Sequence, residues 1–176
     1  MRSLIILAAL ATAALPGIAQ AADASCLTAG ELASVSTYAM PSVINGAAQG
    51  CASALPAEAF LRRDGGQLAN RYAERRNAAW PGAKAVLLRI AANGDAGRAD
   101  MVRTLPDASL RPLIDGLISQ QIEQKIPAAR CVSISRALQL LAPLPADNTA
   151  ELIALALGLT ANTSTRKLGP LTLCPA

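Results

Sequence analysis

The sequence predicts an all-α fold, a single-domain helical bundle of about six or seven helices stabilised by disulfides. Three observations predict it. Apolar residues recur at spacings of three and four along most of the chain, and no segment alternates with period two. Only one Trp, one Phe and two Tyr are present, whereas strands favour aromatic and β-branched residues. The core must therefore be built from Leu, Ile, Val and Ala, which suits closely packed helices. Prolines, finally, divide the sequence into helix-length pieces.

The chain begins with a distinct segment. Met1-Arg2 is a short positive stretch, and Leu4 to Leu15 is an apolar run too short to span a membrane comfortably. Ala19-Gln20-Ala21 then places small residues where a signal peptidase reads. This order of parts predicts a signal peptide at 1–21, cleaved after Ala21, and a helical domain at 22–176. The mature protein is then exported, periplasmic or secreted, into surroundings where thiols oxidise. Removing 21 of the 176 residues leaves 155, enough for one domain. Asp23-Ala24-Ser25 precedes Cys26, an unsuitable context for a lipid anchor.

Each helix has its own signals. Thr28-Ala29-Gly30-Glu31 is a capping box, in which Thr caps an amide and Glu reaches back. Leu32, Val35 and Ala39 follow on one face, and Pro41 breaks or restarts the helix. Met40, Val43, Ile44, Ala47, Ala48, Cys51 and Leu55 continue one stripe that buries Cys51. Pro56 and Glu58 suit a helix start, and Asp64-Gly65-Gly66 a turn. Residues 67–80 form a helix with Leu68, Tyr72, Ala73 and Ala79 inward, and Pro81-Gly82 restarts another along Val86, Leu87, Ile90 and Ala91. A short helix over 98–105 precedes a long one, capped by Asp107 or Ser109 and ended by Pro127. In it Leu110, Leu113, Ile114, Leu117 and Ile118 form the expected buried stripe. Ile134, Leu138 and Leu141 mark the next helix, stopped near Pro143 and Pro145. The last, capped by Asp147 or Asn148, is apolar on several faces through Leu152, Ile153, Leu155 and Leu157, and should be central. From Ala161 the chain reads as a loop to Cys174.

The four cysteines, Cys26, Cys51, Cys131 and Cys174, contain no C-x-x-C pair, which speaks against zinc ribbons and thioredoxin-type chemistry. An even number in an exported chain reads as two disulfides. The favoured pairing is Cys26–Cys51 and Cys131–Cys174, each closing a helical hairpin, although sequence alone does not fix connectivity.

Chemistry is constrained most by the absence of histidine, which excludes Ser-His-Asp and Cys-His mechanisms and His-ligated zinc. Ser164-Thr165-Arg166-Lys167 matches S-x-x-K, but the companion elements of serine–lysine acyl enzymes are missing. Asp95 and Asp100 lack the oxygen ladder of a calcium loop. Asn162-Thr163-Ser164 is a formal glycosylation sequon, relevant only in a eukaryotic secretory route. No catalytic residue, cofactor or metal ligand is therefore assigned.

The mature net charge is +3, since Arg2 leaves a chain of formal charge +4, and its basic residues are Arg apart from Lys84, Lys125 and Lys167. Export and scarce aromatics argue against nucleic acid. The densest basic cluster comprises Arg62, Arg63, Arg71, Arg75 and Arg76. Arg71, Arg75 and Arg76, near Tyr72 and Trp80, are the candidate contact for an anionic surface, with Arg76 one turn from Trp80 for a cation–π contact. A solvated helix face is the plainer reading of the same run. The expected function is a non-enzymatic binding or interaction protein of the cell envelope. A carrier of a small apolar molecule or lipid in a helical cavity is the alternative, and an enzyme without histidine a more remote one.

Overall fold

The computed structural model describes residues 26–94, 96–161, 167–168 and 171–174. Among them are eight α-helices: α1 Ala29–Gly50, α2 Phe60–Arg63, α3 Gly65–Ala73, α4 Arg76–Gly94, α5 Ala96–Thr104, α6 Asp107–Lys125, α7 Cys131–Leu141 and α8 Ala146–Ala161. A single 3-10 turn, Ala128–Arg130, leads into α7. The signal segment, the sequon, most of the S-x-x-K stretch and Asp95 lie outside the described residues.

The first helix organises the rest. Its capping box forms as the sequence predicts: the Glu31 amide donates to Thr28 Oγ1 at 3.2 Å, and the Thr28 amide donates to Glu31 Oε2 at 2.9 Å. Burial alone would raise the Glu31 carboxyl, but the Thr28 amide, the Arg89 guanidinium and the Thr28 hydroxyl hold it below its ordinary value. Pro41 lies inside α1 rather than ending it, as Pro81 does in α4 and Pro112 in α6. A proline removes one helix hydrogen bond. Pro41 is buried, so packing on both flanks holds the helix together across that loss.

Around α1 pack α3, α4, α6 and α8. Ile44, Ala47, Cys51 and Leu55 meet Leu61, Leu68, Ala69 and Tyr72 in one apolar cluster. Tyr38 joins Ala79, Trp80, Ala83, Val102 and Leu110 in a second, and Leu27, Leu32, Val86, Ala154 and Leu173 form a third.

The C-terminal segment is not wholly loop. Strands β1 Cys26–Leu27, β2 Lys167–Leu168 and β3 Leu171–Leu173 make a small sheet in the order β1-β3-β2. The outer strands are parallel (β1 with β3) and antiparallel (β2 with β3), and the Cys174 amide donates to the Leu27 carbonyl at 3.0 Å. Strands this short escape a periodicity reading.

That sheet explains a correction. The disulfides are Cys26–Cys174 and Cys51–Cys131, not the two hairpin closures the sequence favours. Strand pairing brings the two ends of the chain together, so Cys26 meets Cys174. The end of α1 meets the start of α7, so Cys51 meets Cys131.

Two helix faces also differ from expectation. On α6, Leu110 is buried and Ile114 and Ile118 are half-buried, but Leu113 and Leu117 are 43% and 51% exposed. The helix turns its Asp115 and Ser119 side towards α1 instead, bonding Ser42 through both: Ser42 Oγ donates to Asp115 and Ser119 Oγ to the Ser42 carbonyl. On α8, Thr149, Ala150 and Ala154 face inward, whereas Leu152 and Leu155 are 46% and 59% exposed. Small residues let α8 lie close to α1, so it is not buried all round.

Candidate functional site

The arginines singled out from sequence do not share one face. Arg71 lies on α3, Arg75 in the turn that follows it, and Arg76 opens α4. Arg75 is exposed and pairs with Asp147 at 2.6 Å. Arg71, on α3, is exposed. Arg76, the first residue of α4, turns inward and pairs with Asp115 of α6. The three-arginine patch is therefore reduced at the surface to Arg71 and Arg75.

Arg76 is part of a layered cluster. Its guanidinium lies 4.2 Å above the Tyr38 ring, and its Nε donates to the Tyr38 carbonyl at 3.0 Å. The cation–π partner of Arg76 is thus Tyr38, not Trp80. Tyr38 and Trp80 are tilted neighbours, 4.8 Å between centroids. Arg111 covers the far ring, 4.7 Å from the Trp80 centroid, and donates to Asn77 at 2.7 Å. The order is Arg76, Tyr38, Trp80, Arg111, a stack that ties α1, α4 and α6.

Two carboxylates fasten this stack. Asp115 Oδ1 accepts from Arg76 and from Ser42. Asp107 accepts from Trp80 Nε1 and from Lys84 Nζ, each at 2.6 Å. Asp107 is thus no cap for α6. The Lys84 and Trp80 donors hold its carboxyl below the ordinary value. Burial, then the nearby Asp115 charge, pushes the Tyr38 hydroxyl up to about 12. Asp115 is near enough to be felt, yet that hydroxyl has no partner in hydrogen-bond geometry. Every carboxylate here is held by cations or donors already, an arrangement that fixes helices rather than moving protons.

Two grooves flank the cluster and the α7 side. Along the α1–α6 seam runs an open groove of about 600 Å³, lined by Ser42, Asn45, Gln49, Asp115, Gln120 and Glu123 among others. Between α2 and α7 is a second, of about 320 Å³, which includes Leu55, Phe60, Arg63, Val132, Arg136 and Gln139. Its walls are fixed by the Cys51–Cys131 bond and by the Leu61 amide, which donates to Ser135 Oγ at 3.1 Å. Both grooves open to solvent. Among the described residues no cluster of His, Cys, Asp and Glu suited to a metal is present, and no helix is long and apolar enough to cross a membrane.

Exposed apolar side chains are the surface feature that sequence reasoning missed. Val132 and Leu140 on α7 are 66% and 62% exposed, in addition to the α6 and α8 leucines. Periodicity marked Leu113, Leu117, Leu152 and Leu155 as core and left Val132 and Leu140 unassigned, because a helix with apolar residues on two faces gives no sign of which face is covered.

No family model, curated protein or solved structure matches this chain.

Proposed function

We propose that this is an exported, non-enzymatic interaction protein of the cell envelope. The carrying observation is the set of large apolar side chains left exposed on α6, α7 and α8 (Leu113, Leu117, Val132, Leu140, Leu152 and Leu155). Large apolar side chains exposed on three helices of a folded protein favour contact with another molecule over contact with water. The charged groups favour the same reading: Arg76, Asp115, Asp107 and Lys84 are spent on one another and on the aromatic stack. Export is supported by the signal-like N-terminus and by two long-range disulfides, which persist outside reducing compartments.

Site-specific photo-crosslinking in intact cells of the native host tests it, with the reactive side chain at Leu117, Leu140 or Leu155 and at the exposed polar control Gln67. Discrete adducts from the apolar positions, absent from Gln67, are expected. No adduct at any apolar position overturns the reading. Intact mass of the exported chain should also show loss of residues 1–21 and of four thiol hydrogens.

A further inference from the structure

Arg136 beside the α2–α7 groove and Glu151 on the outer face of α8 are exposed charges of opposite sign. On α7, Val132, Arg136 and Leu140 are spaced by four and form one outward stripe beside the groove. Arg136 donates only to the neutral Gln139, at 2.9 Å, and no carboxylate holds it among the described residues. Arg63 and Glu58 line the same groove on its α2 side, and the pairing of Arg63 with the adjacent Asp64 is solvent-exposed and weak, so Arg136 is the cation left for an incoming acid. Phe60 and Leu55 supply an apolar lining.

The face of α8 carries the opposite pattern. Leu152 and Leu155 project outward beside the exposed Glu151. No cation pairs with Glu151 among the described residues, whereas the other α8 acid, Asp147, is already held by Arg75. α7 contains Arg and no acid, and α8 contains Asp and Glu and no base. Within one chain α7 packs on α2 and α8 on α1, and no ion pair joins Arg136 to Glu151.

We propose that the protein binds a second copy of itself, the α8 face of one molecule seating in the α2–α7 groove of the next. Leu152 and Leu155 would cover Val132 and Phe60, and Glu151 would meet Arg136. This is a helix-in-groove contact, with apolar anchors for affinity and one charge pair for register. It rests on the interaction reading above and names the partner. One helix face is small beside the roughly 1,200–2,000 Å² of stable interfaces, so association is weak and depends on concentration. The contact joins two different surfaces, and repeats into a ring or a chain.

The test is sedimentation velocity on the oxidised mature protein, from about 5 to about 500 µM, with circular dichroism to confirm folding of each variant. The parent should gain mass with concentration. Arg136→Glu and Glu151→Arg should each weaken association at least about tenfold, since each opposes like charges. The double variant, and an equimolar mixture of the two single variants, should recover to within about threefold of the parent. A parent that stays monomeric throughout, association untouched by either single change, or no recovery on charge exchange overturns the proposal. Monomeric protein that still gives crosslinks to other proteins in cells would defeat self-association alone and leave the interaction reading standing.

Discussion

Gly46 of α1 faces the backbone of Ser119 on α6 so closely that a Cβ added to it would lie 2.5 Å from the Ser119 carbonyl oxygen. One turn on, a Cβ at Gly50 would meet the Glu123 carbonyl at 2.9 Å. These two glycines set the distance between the helices, and with it the Ser42–Asp115 bond and the groove along the seam.

Gly46→Ala should therefore destabilise the protein, despite the better helix propensity of alanine. The obstacle is backbone, which cannot rotate away. A loss of about 1–3 kcal/mol in urea melts is expected, typical of overpacking. Gly116→Ala on α6, where nothing lies within 4 Å, is the matched control and should be neutral or stabilising. Equal effects at both positions would contradict the close crossing.

Leucines on one helix should separate sharply. Leu110 is 1% exposed, so Leu110→Ala should cost about 2–5 kcal/mol. Leu117→Ala, on the open face, should cost less than about 1 kcal/mol in the isolated protein. Denaturant midpoints of the two variants decide it, and a large loss at Leu117 would place the contact face elsewhere.

Tyr38→Phe offers a sign test. The hydroxyl is buried without a partner, so removing it deletes a desolvated polar atom and leaves the ring beneath Arg76. Stability at pH 7 should be unchanged or higher by up to about 1 kcal/mol. Because the folded pKa is raised from 10.0 to about 12, the parent should lose stability as pH rises through that interval. The Phe variant should lack this component of the alkaline decline, which thermal melts between pH 9 and 11 would read.

Acid should act through Asp107 and Glu31. Their folded values are depressed, so their contribution is complete above the unfolded carboxylate range near pH 4 and is lost as pH falls through the lower folded values. Melting temperature should fall below about pH 4. Asp107→Asn should lower it at pH 7 and flatten the acid limb. An unchanged acid limb in that variant would show that the Lys84 and Trp80 bonds contribute nothing to folding.

The sequence disclosed what local interactions decide. Thr28 and Glu31 are three residues apart, and their capping box needs no knowledge of the rest of the fold. Cys51, Ile44 and Leu55 were legible as core for the same reason. Pro41 and Pro81 were misleading because tertiary packing carries α1 and α4 through them, whereas α6 runs through Pro112 as its periodicity predicts. The exposed face of α6 was hidden because its orientation is chosen by Gly46, far away in sequence, and not by the helix's own pattern. As for the arginines, the expected single helix over 67–80 breaks at a turn, which parts Arg75 from Arg76. What no spacing could reveal is that Arg111, rather than Arg76, would cover Trp80.

The prediction for the cysteines is a peptide map. Proteolysis without reduction should release one linked pair containing Cys26 and Cys174 and another containing Cys51 and Cys131. Replacing Cys51 and Cys131 together with Ala should cost about 3–5 kcal/mol, the range for bonds closing long loops. Linked peptides joining Cys26 to Cys51 would refute the connectivity.

Those bonds span 148 and 80 residues, one loop enclosing the other. A chain emerging N-terminus first presents Cys26 and Cys51 long before either native mate. The earliest available partners are each other, and a bond between them is a wrong one that must be undone. Any such early bond has to be exchanged before the native pairs can form, so yield should fall in a host that has a disulfide oxidase but no isomerase.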